Sequence, residues 1–289
     1  MAIDITCYSD PGCPWAYSAS PALAVLRWRY GSQLSWRLVT IGLTDRGAQY
    51  EERGYTPARA ARGYRAFRRY GMPFATEPRT RMVATGRACR VVVAARLLDP
   101  ARELEVFRAL QFAWFTTALL LDEDSGLVAA LERVKELDVG AIVGALDGEA
   151  VSAAYEADRR EARSAEGSPT QFQGKAAQTD GPVRYKAPSL IFEVDGRRLE
   201  GGGFQPVEAY DVLVANLDTS LVRREPPADP LEALRALPEG LVTQEVAAVM
   251  AHNNEQPDRA AAEDALIGLA GTGRARRIPL GDDALWRVD

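Results

Sequence analysis

Cys13 has the most chemistry within reach, in the stretch Ser9-Asp10-Pro11-Gly12-Cys13-Pro14-Trp15-Ala16-Tyr17-Ser18. A thiol becomes a nucleophile by ionising, and unpaired N–H groups at the start of a helix stabilise the resulting anion. Pro14 follows at once, a residue that suits the first turn because its missing N–H would have no partner there. The pattern predicts Cys13 as a catalytic nucleophile whose pKa falls into the range of about 3.5–7.5 seen for thiols in such positions. Trp15 and Tyr17 flank the sulfur. They serve either as aromatic walls for a substrate or as half-buried packing.

Other kinds of catalysis lack raw material. His252 is the only histidine, so Ser-His-Asp and Cys-His machinery has almost no raw material. Three scattered cysteines and one histidine do not make a structural zinc site, and no metal is expected. Cys7 alternates with Ile3 and Ile5 on a strand and reads as a small core residue. Cys89 falls in a helical pattern and reads as buried, and it stands as the other candidate thiol to resolve an adduct on Cys13. Gln111, Trp114 and Thr116 share a helix that could roof a pocket. Lys175 is notable because the chain has only two other lysines, Lys135 and Lys186. Gly201–Gly203 lack the Gly-Lys-Ser/Thr ending of a phosphate loop.

Composition narrows the setting. The chain has 289 residues, 47% hydrophobic and 26% charged, with a net charge of −5, which disfavours nucleic acid as a partner. No apolar run approaches the roughly 18 residues that span a bilayer, so no membrane is expected. The first ten residues lack the basic start and apolar centre of a signal peptide, and a cytoplasmic location is expected. The excess of Arg over Lys, with abundant Ala, matches a GC-rich coding bias of the actinobacterial kind.

The elements that must position Cys13 follow from periodicity. Ile3, Ile5 and Cys7 alternate with polar residues as in a strand. Ala19, Ala22, Leu23 and Leu26 then recur at helical spacing, with Pro21 expected to kink the helix. Leu34–Ile41 is a second strand, giving a βαβ opening with Cys13 in its first turn. Helical patterns follow at Pro57–Tyr70, Met82–Leu98, Pro100–Leu120, Ser125–Leu137 and Gly148–Ala165, an all-helical insert over residues 51–167. Glu166–Pro188 reads as a long loop. Strands return at Ser189–Val194 and Arg197–Glu200 around an Asp195-Gly196 turn, and Pro206–Leu217 is a helix. Beyond a proline-rich joint, residues 228–289 predict three short helices and a hairpin around Gly281-Asp282, a winged-helix-like unit, with Thr243 as the cap of its second helix. From Asp229 to Asp289 there are eleven acidic residues and six arginines, so packing or dimerisation is expected of this unit in preference to DNA binding.

The strand, the turn "SDPGCPWAYS", the Pro21 helix, the helical insert and the late "YKAPSLIF" resemble the DsbA family of thioredoxin-fold proteins. That family includes kappa-class glutathione transferases, 2-hydroxychromene-2-carboxylate isomerases and mycothiol-dependent nitroreductases. The resemblance runs from Ile3 to Leu221. It implies an α/β chain: a thioredoxin-like domain of residues 1–50 and 168–221, interrupted by the insert. It also implies that Cys13 is the attacking cysteine and that Ala187-Pro188 is a cis peptide beside the sulfur, whose backbone can hold a thiol ligand; Pro14, Trp15 and Tyr17 are the other expected ligand-binding residues. The chain departs from the family at Ala16, where its oxidoreductases usually carry a second cysteine. The expected activity is therefore thiol–disulfide exchange or thiol transfer through one cysteine, with no tightly bound cofactor and a low-molecular-weight thiol, mycothiol or glutathione, as co-substrate. The alternatives are a thiol-dependent isomerase or transferase on a small hydrophobic substrate, and a non-catalytic dimerising or binding protein whose redox site has decayed; a homodimer is among the expected assemblies.

Overall fold

The computed structural model describes residues 2–179 and 181–288. β1 (Ile3–Ser9) is the strand around which the fold is built. It leads into α1 (Pro14–Ser18) and α2 (Ser20–Tyr30). Pro21 lies in the first turn of α2, so the expected kink is a break between two helices at Ala19. β2 (Leu34–Thr40) then pairs parallel to β1, with Leu38 opposite Cys7.

The insert holds α3 (Ala48–Glu52), α4 (Pro57–Phe67), α5 (Gly86–Leu98), α6 (Glu103–Thr116), α7 (Asp124–Leu131), α8 (Val139–Gly144) and α9 (Glu149–Ala162). Thr56 caps α4 by accepting from the Arg59 N–H. α5 starts later than its periodicity suggests. The N–H groups of Ala84, Thr85 and Gly86 are already used, the first by Asp122 and the other two by the Thr44 carbonyl. The pattern at Ser125–Leu137 is divided. Glu136 takes a positive φ of 58°, and Asp138 opens α8 by accepting from the Ala141 N–H.

The span expected as a long loop contains α10 (Pro169–Phe172) and a two-residue pairing of β3 (Ala176–Ala177) with β4 (Arg184–Tyr185). Ser168 begins α10 by accepting from the Gln171 N–H. β5 (Ser189–Val194) and β6 (Arg197–Gly202) complete a sheet ordered β2-β1-β5-β6, and α11 (Val207–Leu217) covers one face. Asp195 and Gly196 both have positive φ, as their tight turn requires.

The C-terminal unit runs α12 (Pro230–Ala236), β7 (Leu241–Val242), α13 (Thr243–Met250), α14 (Arg259–Gly271), β8 (Ala275–Leu280) and β9 (Asp283–Val288), with sheet order β7-β9-β8. This is the helix-strand-helix-helix-strand-strand order of a winged helix. Its core is shared with α2, where Val25 and Trp28 pack with Leu231, Leu266 and Trp286. Thr243 is not the cap of α13. Its hydroxyl donates to Asp283 at 2.6 Å and accepts from the Trp286 indole at 3.0 Å, while Glu245 reaches back to the Val242 N–H at 2.8 Å.

Glu245 also joins three parts of the chain. It is fully buried and accepts two hydrogen bonds from Arg108 of α6, at 2.7 and 2.8 Å, and one from Ser20 of α2. Burial alone would raise the Glu245 pKa, but the Arg108 guanidinium overrides it and holds the carboxyl below its usual value. Removing one partner of such a pair strands a charge without solvent, at a cost of about 3–5 kcal/mol. Glu245→Ala should lower unfolding free energy by that order in chemical denaturation. Replacing both partners, as Arg108→Met with Glu245→Leu, should restore most of it, and a double variant no more stable than the single one would contradict this account.

Candidate active site

β1 ends in a turn organised by a buried carboxylate. Asp10 Oδ1 accepts from the Gly12 N–H at 2.9 Å, closing an Asx-type turn. Its Oδ2 accepts from the Leu43 N–H at 2.9 Å, the Thr85 hydroxyl at 3.0 Å and the Cys89 thiol at 3.5 Å. Desolvation raises the Asp10 pKa, and the donors around it pull the other way. Asp10 thus ties the exit of β1 to the exit of β2 and to the start of α5. Gly12 is required beside it, because a Cβ there would lie 2.6 Å from the Thr85 methyl and 2.9 Å from the Trp114 ring. Asp10 was not singled out in the sequence. The available signal was Asp-Pro-Gly, a turn pattern whose acid can bond its own backbone.

Cys13 then heads α1 in extended backbone, φ −88° and ψ 113°, with Pro14 in the first turn. Its Sγ lies 3.2 Å from the Ala187 carbonyl oxygen and donates to it. The Ala187-Pro188 peptide is cis. The Ser189 hydroxyl steadies the strand that follows, donating to the Lys186 carbonyl at 2.7 Å and accepting from the Gly203 N–H at 3.0 Å. Residues 174 positions apart therefore meet at one sulfur.

The expected lowering of the Cys13 pKa is overturned. The residue is only 6% exposed, and burial pushes its thiol up to about 12. The N–H groups of Ala16 and Trp15 favour the thiolate, as a helix start should, and Arg184 adds to them, but Asp10 opposes and desolvation outweighs the sum. The resting group is a thiol bonded to a carbonyl.

The two aromatic residues separate. Trp15 is 40% exposed and stands edge-on to Phe67, with ring centres 4.9 Å apart, and to Phe204 at 5.5 Å. It thereby links the insert to the loop after β6 beside the turn. Together with Pro14 and Gly12 it lines a cleft of ≈ 480 Å³ that Tyr55, Tyr64 and Trp114 also line. Tyr17 points away from this cleft. It is fully buried in the insert's core, stacked on Phe115 at 4.7 Å, and its hydroxyl donates to the Pro73 carbonyl at 3.1 Å. Tyr17 is packing, because α1 is only five residues long and its two sides face different surroundings.

The remaining candidates scatter. Cys7 is buried against the sheet, and desolvation takes its thiol up to about 12. Cys89 is fully buried and turned toward Asp10, and all three cysteines are free thiols. Trp114 reaches the cleft and Gln111 faces a different cavity, while Thr116 bonds back to the Phe112 carbonyl at 2.7 Å. Lys175 lies against Gly202 and Gly203, and His252 is exposed after α13.

This constellation of strand, cysteine-headed helix and facing cis-proline defines a thioredoxin-type thiol site. The profile of the DSBA-like thioredoxin domain matches residues 4–186, and the chain belongs to that family. Three solved structures are similar. One is a candidate protein disulfide isomerase from Nitrosomonas europaea, at 18% identity over 75% of this chain and 97% of that one, TM-score 0.58. Another is the cytosolic disulfide reductase DsbM from Pseudomonas aeruginosa, at 20% identity over 74% and 98%, TM-score 0.52, also solved with GSH. The third is a candidate DsbA oxidoreductase from Streptomyces coelicolor, at 18% identity over 74% and 89%, TM-score 0.52. At these identities the likeness is one of fold. No curated protein matches the chain. Among the described residues no helix is long and apolar enough to cross a membrane.

Two measurements test the site. With its pKa raised to about 12, Cys13 should be alkylated by iodoacetamide about tenfold faster per pH unit from about pH 6 to about pH 9. Peptide-resolved mass spectrometry reads this, and a plateau near neutrality would restore the lowered value. Asp10→Asn sets an amide N–H₂ against donors, so stability should fall by about 1–3 kcal/mol. The same change removes a negative charge that opposes the thiolate, so alkylation at fixed pH should quicken. Slower alkylation in a folded Asp10→Asn protein would show that the electrostatic assignment is wrong.

Proposed function

We propose that the protein is a thiol–disulfide exchange enzyme that works through Cys13 alone and takes a low-molecular-weight thiol, mycothiol or glutathione, as co-substrate. The observation that carries this reading is the Cys13 Sγ held 3.2 Å from the Ala187 carbonyl at the start of α1, with no thiol at position 16. Family membership supports the redox class. DsbM, solved with GSH, supports a small thiol as partner. Three unbonded thiols fit a reducing compartment such as the cytoplasm.

The chemistry is two exchanges. Cys13 loses its proton to solvent as a disulfide R–S–S–R′ displaces the contact with Ala187. The thiolate attacks one sulfur, forming Cys13–S–S–R and releasing R′S⁻, which takes up a proton. A small thiolate R″S⁻ then attacks the adduct at the sulfur of R, giving R–S–S–R″ and returning Cys13 as the leaving thiolate. No net electrons enter or leave the protein. The N–H groups of Trp15 and Ala16 stabilise Cys13 both as nucleophile and as leaving group. Ala187-Pro188 aligns the disulfide, and Pro14 with Trp15 forms the near wall of the cleft for the rest of the substrate.

The decisive assay is reduction of bis(2-hydroxyethyl) disulfide by a small thiol. Cys13→Ser should fall to the uncatalysed rate, and wild type should show a mixed disulfide at Cys13 by mass spectrometry. Ala16→Cys places a second thiol one helical turn away, so that variant should release the first adduct without added small thiol. A wild-type enzyme that forms no adduct, or an active Cys13→Ser, would leave the isomerase, transferase or binding-protein alternatives.

A further inference from the structure

A second cavity lies behind the catalytic turn, away from the cleft. It has a volume of ≈ 300 Å³ and sits where β1, α2, α6 and β7 meet. Its size is at the lower end of ligand sites, which run to about 1,000 Å³. The walls are mainly apolar, built from Leu23, Trp36, Leu38, Leu104, Phe107 and Leu241.

Ser9, Ser20, Gln111 and the charged side chains of Arg27, Arg37, Glu103 and Arg108 interrupt that lining, and Ser20 is already bonded to Glu245. Gln111 and Ser9 are each only 4% exposed. Among the described residues neither side chain has a hydrogen-bond partner, and neither is among the polar atoms sealed in packing, so both face the cavity they line. An amide so placed, with two donors and an acceptor, is costly to leave unused. The neighbouring charges do not use it, because each is already matched outside the cavity. Arg27 pairs with Glu239, Arg37 with Glu161 at 2.8 Å, Arg108 with Glu245 at 2.7 Å and Glu103 with Arg96 at 2.6 Å. A charged guest would lose its water and find no free counter-ion, whereas a neutral polar head would meet Gln111 and Ser9.

From this we infer a second ligand site, for a small, neutral, mainly apolar molecule carrying one amide or hydroxyl group, with that group bonded to Gln111 and Ser9. It is separate from the thiol site, and its assignment does not depend on the exchange reaction.

Three fluorinated probes test it by ¹⁹F NMR titration of the full chain: 4-fluorobenzamide, 4-fluorobenzoate and fluorobenzene. The benzamide should bind saturably, and the benzoate about tenfold or more weaker. Gln111→Leu keeps the apolar volume and removes the amide. It should weaken the benzamide about tenfold while leaving fluorobenzene unchanged or tighter, the loss expected for an unmade buried hydrogen bond. Trp15→Ala, which alters the front cleft, should leave benzamide binding unchanged. The inference is overturned if the benzamide fails to saturate, as a cavity holding only water would give. It is equally overturned if the benzoate binds as tightly, if Gln111→Leu has no effect, or if Trp15→Ala abolishes binding.

Discussion

The active turn depends on one buried carboxylate that has donors but no cation. Asp10 gathers an N–H from its own turn, an N–H from the end of β2, a hydroxyl and a thiol. Buried donors of this kind cost free energy when left unpaired. Their convergence fixes where Thr44 and Thr85 lie, hence where α5 begins. That in turn sets the wall, Trp114 included, against which Gly12 must pass. The position of Cys13 is thus a consequence of satisfying Asp10. Burial raises the Asp10 pKa, and whatever negative charge the carboxyl carries beside the sulfur also discourages thiolate formation there.

The larger assembly rests on a related solution with the opposite accounting of charge. Arg108 and Glu245 bury a cation against an anion, and Ser20 completes the set. Each belongs to a different segment: insert, winged-helix-like unit and the thioredoxin-like α2. Arg287 with Glu105, at 3.0 Å, and the Phe74 N–H with Asp282, at 3.2 Å, add contacts between the insert and the C-terminal unit. With a shared apolar core around Trp28 and Trp286, the C-terminal unit closes over α2.

Local features were legible in the sequence and tertiary ones were not. The opening strand and the Asp195-Gly196 turn each follow from a few adjacent residues, whereas Pro21, read as a kink within one helix, instead stands in the first turn of a second helix. The cis Ala187-Pro188 bond was anticipated through the family resemblance, and the order of elements in the C-terminal unit through periodicity. The Cys13 pKa failed because the helix start is visible in four residues, whereas its desolvation comes from chain 174 positions away. Tyr17 failed for the same reason: its neighbours Phe74 and Phe115 belong to the insert. Thr243 looked like a cap until Trp286 and Asp283 claimed its hydroxyl.

A protonated, carbonyl-bonded thiol is a poor nucleophile in bulk solvent, and that is a functional property in its own right. In the exchange proposed above, a disulfide would enter beside the cis-proline and displace the Sγ–H from the Ala187 oxygen, leaving the N–H groups of Trp15 and Ala16 as the sulfur's main partners. Seated beside Trp15, that disulfide would replace both the Ala187 contact and the water around the sulfur. A site with a second thiol would hold Cys13 in a disulfide between turnovers. With alanine at position 16, the resting sulfur is protected instead by the same desolvation that raises its pKa.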